Sequence, residues 1–177
     1  MPRQLIITIT GPDRIGFVES VTKLLLNHGV NVEKSRMVRL GGDFAMMMLV
    51  TVPNAELGGV IGTVMGLEAH GFQVFTRETA TADGSNYAGW LPFRIQVSGA
   101  DHEGIIHKIT SYLAEQGVNI ETLSTGADHA PMSGTPLFTM DALVLAPPKR
   151  SLAALRAELE GVGDRLNVDI EVSPFRG

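Results

Sequence analysis

The residues of this chain that are best suited to ligand binding occur twice, as two glycines, an aspartate and a more distant asparagine. They are Gly11, Asp13, Gly16 and Asn31 in the first copy and Gly99, Asp101, Gly104 and Asn119, each 88 positions later (11 to 99, for example), in the second. In each copy the segment between the two glycines leads into a predicted helix. Backbone N–H groups and the helix dipole favour an anion such as a carboxylate at that point.

The residue types in each copy suit a small zwitterion. Glycine lets the backbone approach a ligand closely. The asparagine amide offers both a donor and an acceptor, which suit the carboxylate and the ammonium group of an amino acid. A purely structural explanation stays open at each position: the first glycine could serve a tight turn, the aspartate could cap the helix, and the asparagine could tolerate an unusual backbone after a glycine.

Motifs of catalysis and of metal binding are missing from the sequence. It contains no GxSxG nucleophile motif, no Walker phosphate loop and no HExxH zinc motif. His102 and His107 are five positions apart, which does not place them on one helix face. The chain has no cysteine, which excludes disulfides and cysteine-based zinc sites. We therefore predict no catalytic residues, no metal and no cofactor.

Hydrophobic periodicity predicts the elements that hold the first loop. Strands are expected at residues 4–10, 30–40, 44–52 and 72–80, with helices at 14–28 and 54–70. Asp13 is the expected N-cap of the first helix and Asn54 that of the second. Gly29 and Gly71 are expected just past the two helix ends. The resulting order is βαββαβ, the ferredoxin-like unit.

The second half of the chain repeats this order. Strands are expected at residues 91–98, 118–125, 135–146 and 168–172, with helices at 102–116 and 151–166, the latter capped by Ser151. The small, polar segment 81–89 is typical of a linker. The predicted fold class is therefore α+β: two ferredoxin-like units, at residues 1–80 and 90–177, each an antiparallel sheet with its helices on one face. The second hairpin is longer than the first because of extra residues within 127–135.

The strand at residues 30–40 is predicted to have one apolar side. Four apolar residues share the same parity along the strand: Val30, Val32, Val38 and Leu40. Lys34, Arg36 and Met37 break the alternation, which predicts that the middle of the strand either bulges or is exposed on both faces.

Three glycines at every fourth position, Gly58, Gly62 and Gly66, line the second predicted helix. Each glycine costs about 1 kcal/mol relative to alanine in a helix interior. Close packing of another backbone would offset that cost. The spacing therefore predicts tight packing along this stripe, against the sheet or a neighbouring helix, and Gly62→Leu is expected to destabilise the fold or an oligomer.

Charge and hydropathy narrow the classes of partner. The formal net charge is −5, which argues against direct nucleic-acid binding because that binding depends on clustered Lys and Arg. The longest apolar run, residues 44–50, is far shorter than the roughly 20 residues that span a bilayer. We expect a cytoplasmic protein without direct nucleic-acid or membrane contact.

The repeated segments ITGPDRIGFVESVTKLLLNHGVN and VSGADHEGIIHKITSYLAEQGVNIETL carry a family resemblance. A DxxG motif, an amphipathic helix and then GVN followed by Val or Ile, inside a βαββαβ unit, resembles the ACT domain, a regulatory module that binds amino acids. Two such units over essentially the whole chain resemble the glycine cleavage system transcriptional repressor family.

The resemblance implies which residues would form the ligand sites. They are Asp13, Arg14, Ile15, Gly16 and Asn31 in the first unit and Asp101, His102, Glu103, Gly104 and Asn119 in the second, with Gly11 added from the loop pattern. When the two copies are aligned, His102 takes the place of Arg14 and Glu103 takes the place of Ile15. A carboxylate near Glu103 would be repelled, so the first loop is the expected carboxylate receptor.

The resemblance also implies a function. It suggests a sensor without catalysis that binds a small amino acid, glycine or serine, and regulates transcription of glycine and one-carbon metabolism genes through a protein partner such as a transcription factor. Free sheet edges would allow a homodimer. One alternative is a stand-alone regulatory subunit of an amino-acid metabolic enzyme. Another is an acylphosphatase-like hydrolase that uses Arg14 and Asn31.

Overall fold

The computed structural model describes residues 2–80, 87–129, 134 and 136–175. The chain divides into two compact units, Met1–Asp83 and Gly84–Gly177. Most of the predicted linker, residues 81–89, lies outside the described residues, and so does part of the predicted insertion at 127–135. Each unit has the predicted βαββαβ order, so the predicted fold class is confirmed.

The first unit contains four strands and two helices. The strands are β1 (Arg3–Pro12), β2 (Asn31–Leu40), β3 (Asp43–Val52) and β4 (Gln73–Thr79), and the helices are α1 (Phe17–Asn27) and α2 (Leu57–Met65). Short 3₁₀ turns, Asn54–Glu56 and Gly66–His70, flank α2, so the second predicted helix is three segments rather than one. The sheet is antiparallel with strand order β2-β3-β1-β4.

Strand and helix periodicities build the core of the first unit. Leu5, Ile7 and Ile9, every second residue of β1, are at most 1% exposed. They belong to the same apolar cluster as Val21 of α1 and Val60 of α2. The helices therefore cover one face of the sheet, and the other face is open to solvent within this unit.

The second unit repeats this arrangement. Its strands are β5 (Leu91–Ala100), β6 (Asn119–His129), β7 (Pro136–Ala146) and β8 (Val168–Pro174), and its helices are α3 (Ile105–Glu115) and α4 (Leu152–Leu166). The sheet order is β6-β7-β5-β8, and all pairs are antiparallel. The hydroxyl of Ser151 accepts the Ala154 N–H at 3.1 Å, which confirms Ser151 as the N-cap of α4.

The structure confirms the predicted C-terminal end of α1 but not its predicted N-terminal end. Gly29 has φ +63 and follows α1, while the Val30 N–H donates to the Leu25 carbonyl at 3.1 Å, as in a Schellman motif. The N-cap prediction for Asp13 is wrong, because α1 begins after Gly16. Asn54 is also not an N-cap, because it lies inside the 3₁₀ turn that follows Pro53.

Strand β2 is exposed on both faces. Val30, just before the strand, is 8% exposed, whereas Val32, Val38 and Leu40 are 37%, 48% and 72% exposed, so the exposure on both faces predicted for the middle of the strand extends to its ends. The register on β3 shifts between Val32 and Lys34, which places a bulge nearer the start of the strand than its middle. Within the sheet of its unit, β2 is an edge strand and pairs only with β3.

The glycine stripe of α2 is not packed. A Cβ added at Gly58, Gly62 or Gly66 would meet no atom of the described residues within 4 Å, so the predicted close packing is wrong. Gly59 instead approaches another side chain, because its Cβ would lie 3.3 Å from the imidazole of His28. That imidazole lies 2.9 Å from the Glu56 carboxylate and 3.0 Å from the Thr63 hydroxyl, which ties the end of α1 to α2.

Candidate functional site

The first glycine of each loop is required by packing between strands. A Cβ on Gly11 would lie 2.5 Å from Cδ1 of Phe72, and a Cβ on Gly99 would lie 2.8 Å from Cγ1 of Val168. Real Cβ atoms do not approach carbon atoms so closely. Gly11, near the end of β1, therefore lies close against Phe72, just before β4. Gly99, near the end of β5, lies close against Val168, the first residue of β8.

The second glycine of each loop sets the start of a helix. Gly16 and Gly104 have φ +81 and +91, the left-handed region that glycine adopts without strain. Each occupies the N-cap position, where it offers no side chain to cap the helix. In α1 the N–H groups of Val18 and Glu19 find no acceptor in the described part of the chain. These groups can receive an anion.

The aspartates fasten the loops to the neighbouring hairpins. The Asp13 N–H donates to the Gly42 carbonyl at 3.1 Å, and the Asp101 N–H donates to the Pro136 carbonyl at 2.9 Å. The Asp13 carboxylate also lies 3.7 Å from the guanidinium of Arg39. The main observed contacts of Asp13 and Asp101 are therefore structural.

The first loop opens onto a surface cavity of about 310 Å³, which we call the first-loop cavity. It is lined by Arg14, Ile15, Gly16, Phe17, Ser20, Leu67, His70 and Phe72. The rings of Phe17 and Phe72 stack at 4.0 Å, and the guanidinium carbon of Arg14 lies 5.3 Å from the centre of the Phe72 ring. No carboxylate of the described residues pairs with Arg14. The cavity thus combines an available cation with apolar walls.

The second loop is organised differently. His102 places Nε2 2.7 Å from the Leu166 carbonyl oxygen and Nδ1 3.1 Å from the Glu103 carbonyl oxygen. Both nitrogens can donate only when the ring is protonated. The hydrogen bond to Leu166, followed by that to Glu103, accordingly raises the pKa of His102 above its usual value. This side chain ties the second loop to the end of α4.

The second-loop cavity lies towards β7 rather than towards the last strand. Its volume is about 450 Å³, and Asp101, His102, Glu103 and Phe138 are among its lining residues. It has no arginine, and its two carboxylates disfavour an anion. The chemistry of the two loops therefore differs, and the first loop is the better receptor for a carboxylate.

Within each unit, the asparagine lies far from the loop that carries the two glycines. Asn31 lies opposite Thr51 on β3, whereas Gly11 lies opposite Phe44, seven residues away along the same strand. At about 3.3 Å per residue, this separation is roughly 23 Å. Asn119 has the same relation to Gly99 in the second unit. One small ligand cannot contact both groups of one unit.

Each asparagine instead binds a glutamate across the bulge that follows it. The amide of Asn31 donates to Glu33 at 2.7 Å, and that of Asn119 donates to Glu121 at 2.6 Å. The structure thus brings together Arg14, Ile15 and Gly16, and separately Asp101, His102 and Gly104. A ligand role for the two asparagines stays a prediction.

The sequence patterns missed five of the eight residues that line the first-loop cavity. These are Phe17, Ser20, Leu67, His70 and Phe72, and the last three come from the 3₁₀ turn and the residue before β4. No spacing signal marks these three, because they lie more than 50 positions from the loop and reach it only through the fold. Among the described residues, no cluster of three His, Asp or Glu side chains could hold a metal ion. None of the described helices is both long and apolar enough to cross a membrane.

Comparisons with known proteins agree with this architecture. The sequence pattern of the ACT domain matches residues 3–75 and 92–173. The glycine cleavage system transcriptional repressor of Escherichia coli is 30% identical over 122 residues, which are 67% of this chain and 62% of that protein. The chain thus spans less than two thirds of that curated relative.

Two further relatives cover different shares of the chain. A UPF0237 protein of Methanopyrus kandleri is 39% identical over 79 residues, which are 44% of this chain and 81% of that protein. The crystal structure of an unknown protein from Galdieria sulphuraria superposes with a TM-score of 0.84 at 33% identity, covering 99% of this chain and 100% of that one. The tandem arrangement of two units is therefore shared with a solved structure.

Proposed function

This chain belongs to the ACT domain family, and from that premise we propose that it is a non-catalytic regulatory protein that senses an amino acid. The observation that carries the proposal is the first-loop cavity. There the guanidinium N–H donors of Arg14, which pair with no carboxylate of the described residues, lie over the ring of Phe72 beside apolar walls. Such donors suit a carboxylate, and the cavity size is at the lower end of the range for small-molecule sites.

Regulation requires that the ligand bind two states of the protein unequally. Ile15 at the tip of the first loop is fully exposed, so it is free to change its contacts when a ligand enters. A ligand that holds Arg14 and the first turn of α1 would fix this loop in one position. We propose that a protein partner reads that difference on the surface around the loop.

The partner is proposed to be a transcription factor. This proposal rests on the likeness to the Escherichia coli repressor of the glycine cleavage system, and it makes glycine and one-carbon metabolism genes the proposed targets. The net charge of −5 favours a protein partner over direct DNA contact. The same likeness makes glycine and serine the first ligands to test.

Catalysis of the acylphosphatase type does not fit the geometry of one unit. That alternative needs Arg14 and Asn31 at the same substrate. The two residues lie near opposite ends of the sheet, roughly 20 Å or more apart. We therefore propose a binding function without chemistry.

Calorimetric titration of the full chain with the twenty amino acids tests the proposal. We expect saturable binding of at least one amino acid, and at least tenfold weaker binding by Arg14→Gln, because a charge-assisted hydrogen bond is worth about 1.5–3 kcal/mol. Arg77→Gln is the matched control, since Arg77 is an exposed arginine on β4 outside the cavity.

Two outcomes would contradict this proposal. If no amino acid binds, the sensing function is wrong. If Arg14→Gln binds as tightly as the natural chain, an amino acid is sensed elsewhere and the first loop is not the site. Capture of partners from a lysate with and without the bound amino acid then identifies what reads the signal.

A further inference from the structure

We propose that the first-loop cavity selects a monocarboxylate with a branched aliphatic or aromatic substituent, such as leucine or phenylalanine, over glycine and serine, and that the α-amino group is dispensable. This inference rests on the proposed function, because it assumes that the cavity is the ligand site. It follows from the walls, the charge and the volume of the cavity.

The walls of the cavity are apolar. The stacked rings of Phe17 and Phe72 form one wall, and Leu67, in the 3₁₀ turn Gly66–His70, forms another. Phe72 is only 5% exposed, so the apolar surface that a ligand could still cover comes mainly from Phe17 and Leu67, which are half-buried. An apolar ligand side chain would cover the part of these walls that water still contacts.

The volume of the cavity exceeds what glycine needs. About 310 Å³ corresponds to roughly ten water-sized volumes. Glycine has five non-hydrogen atoms, and would leave much of this space to water against apolar walls. Leucine has nine and phenylalanine has twelve, so either would displace more of this water from the apolar walls than glycine does.

The charged groups of the cavity recognise a carboxylate and not an ammonium group. Arg14 and His70 are the titratable side chains of the lining, and no Asp or Glu is among the lining residues. The nearest acid of the loop, Asp13, faces Arg39 at 3.7 Å. An α-ammonium group would therefore point to solvent, and its removal would cost little affinity.

The second-loop cavity serves as the internal comparison. Asp101 and Glu103 line it, and its histidine is already bonded to the Leu166 and Glu103 carbonyls. This set of groups repels a carboxylate. The inference therefore includes one bound ligand per chain.

Calorimetry with six probes on the full chain tests the inference. The probes are leucine, phenylalanine, glycine, serine, 4-methyl-2-oxopentanoate (leucine with a keto group in place of the amino group) and leucinamide. We expect leucine to bind at least tenfold more tightly than glycine or serine, with one site per chain. We expect the oxo acid to bind within threefold of leucine, and leucinamide to bind at least tenfold more weakly.

A pair of surface variants locates the apolar contact. Ile15 is fully exposed and Leu26 is 73% exposed, so replacing either by serine leaves the core intact. Ile15→Ser should weaken the binding of leucine severalfold, whereas Leu26→Ser, outside the cavity, should change the affinity for neither leucine nor glycine.

The outcomes separate this inference from the proposed function. If glycine or serine binds as tightly as leucine, the selectivity is wrong and the sensing function stands. If leucine binds and the oxo acid does not, the amino group is recognised and the ligand class is wrong. If none of the six probes binds and no other amino acid does, both the inference and the proposed function are wrong.

Discussion

Replacing Gly11 by alanine tests whether packing or a ligand requires glycine at this position. The new Cβ would lie 2.5 Å from Cδ1 and 3.2 Å from Cα of Phe72. Phe72 is 5% exposed and its ring stacks on Phe17 at 4.0 Å, so the ring cannot move aside without disturbing the core. Overpacking of this kind typically costs about 1–3 kcal/mol. We expect Gly11→Ala to destabilise the first unit by about 2 kcal/mol.

Replacing Gly62 by alanine should have the opposite effect on the free energy of unfolding. Gly62 lies inside α2, and a Cβ added there would have no atom of the described residues within 4 Å. Alanine is more favourable than glycine in a helix interior by about 0.8–1 kcal/mol. Gly62→Ala should therefore stabilise the first unit by up to about 1 kcal/mol.

Thermal unfolding followed by circular dichroism measures both variants. For a unit of this size, a loss of about 2 kcal/mol lowers the midpoint by roughly 8–16 °C. The fluorescence of Trp90, the single tryptophan of the chain, reports separately on the second unit. A Gly11→Ala protein as stable as the natural one, or a Gly62→Ala protein that is less stable, would refute the packing described for these glycines.

Three further predictions concern single side chains. Ser151→Ala should destabilise the second unit by about 1 kcal/mol in urea unfolding, because α4 loses its side-chain cap; an unchanged midpoint would show that the cap contributes nothing. The raised pKa of His102 means that its contribution to stability is fully present below its unfolded-state pKa near 6.5 and is lost as the pH rises through the folded-state pKa. The stability advantage of the natural chain over His102→Gln should therefore be largest below about pH 6.5 and shrink as the pH rises above it, and a difference that does not change would contradict the two carbonyl contacts. Asn31→Ala should leave calorimetric amino-acid binding unchanged, because Asn31 lies roughly 23 Å along the sheet from Gly11; a tenfold loss of affinity would place the ligand elsewhere.

The fold was predictable because its signals are local. Alternating apolar residues such as Leu5, Ile7 and Ile9 mark a strand with one buried face. A glycine directly after a helical pattern, as at Gly29, marks the end of α1. These signals depend on neighbours a few positions apart, and they occur in both halves of the chain.

The helix starts and the site walls were not predictable, because they depend on the backbone and on distant contacts. Asp13 has the residue type of an N-cap, but the left-handed backbone at Gly16 delays α1 by one turn. Phe72 reaches the first loop only when β4 lies beside β1. The spacing of glycines on α2 likewise does not reveal whether a neighbour packs against them.

A ¹H–¹⁵N NMR titration of the full chain with leucine locates the ligand site residue by residue. Amide shifts should concentrate at residues 14–20 and 67–72, around the first-loop cavity, and saturate at one ligand per chain. Shifts that concentrate at residues 102–108 or around Asn31 instead, or the absence of any shift with leucine, glycine and serine alike, would contradict the proposed site.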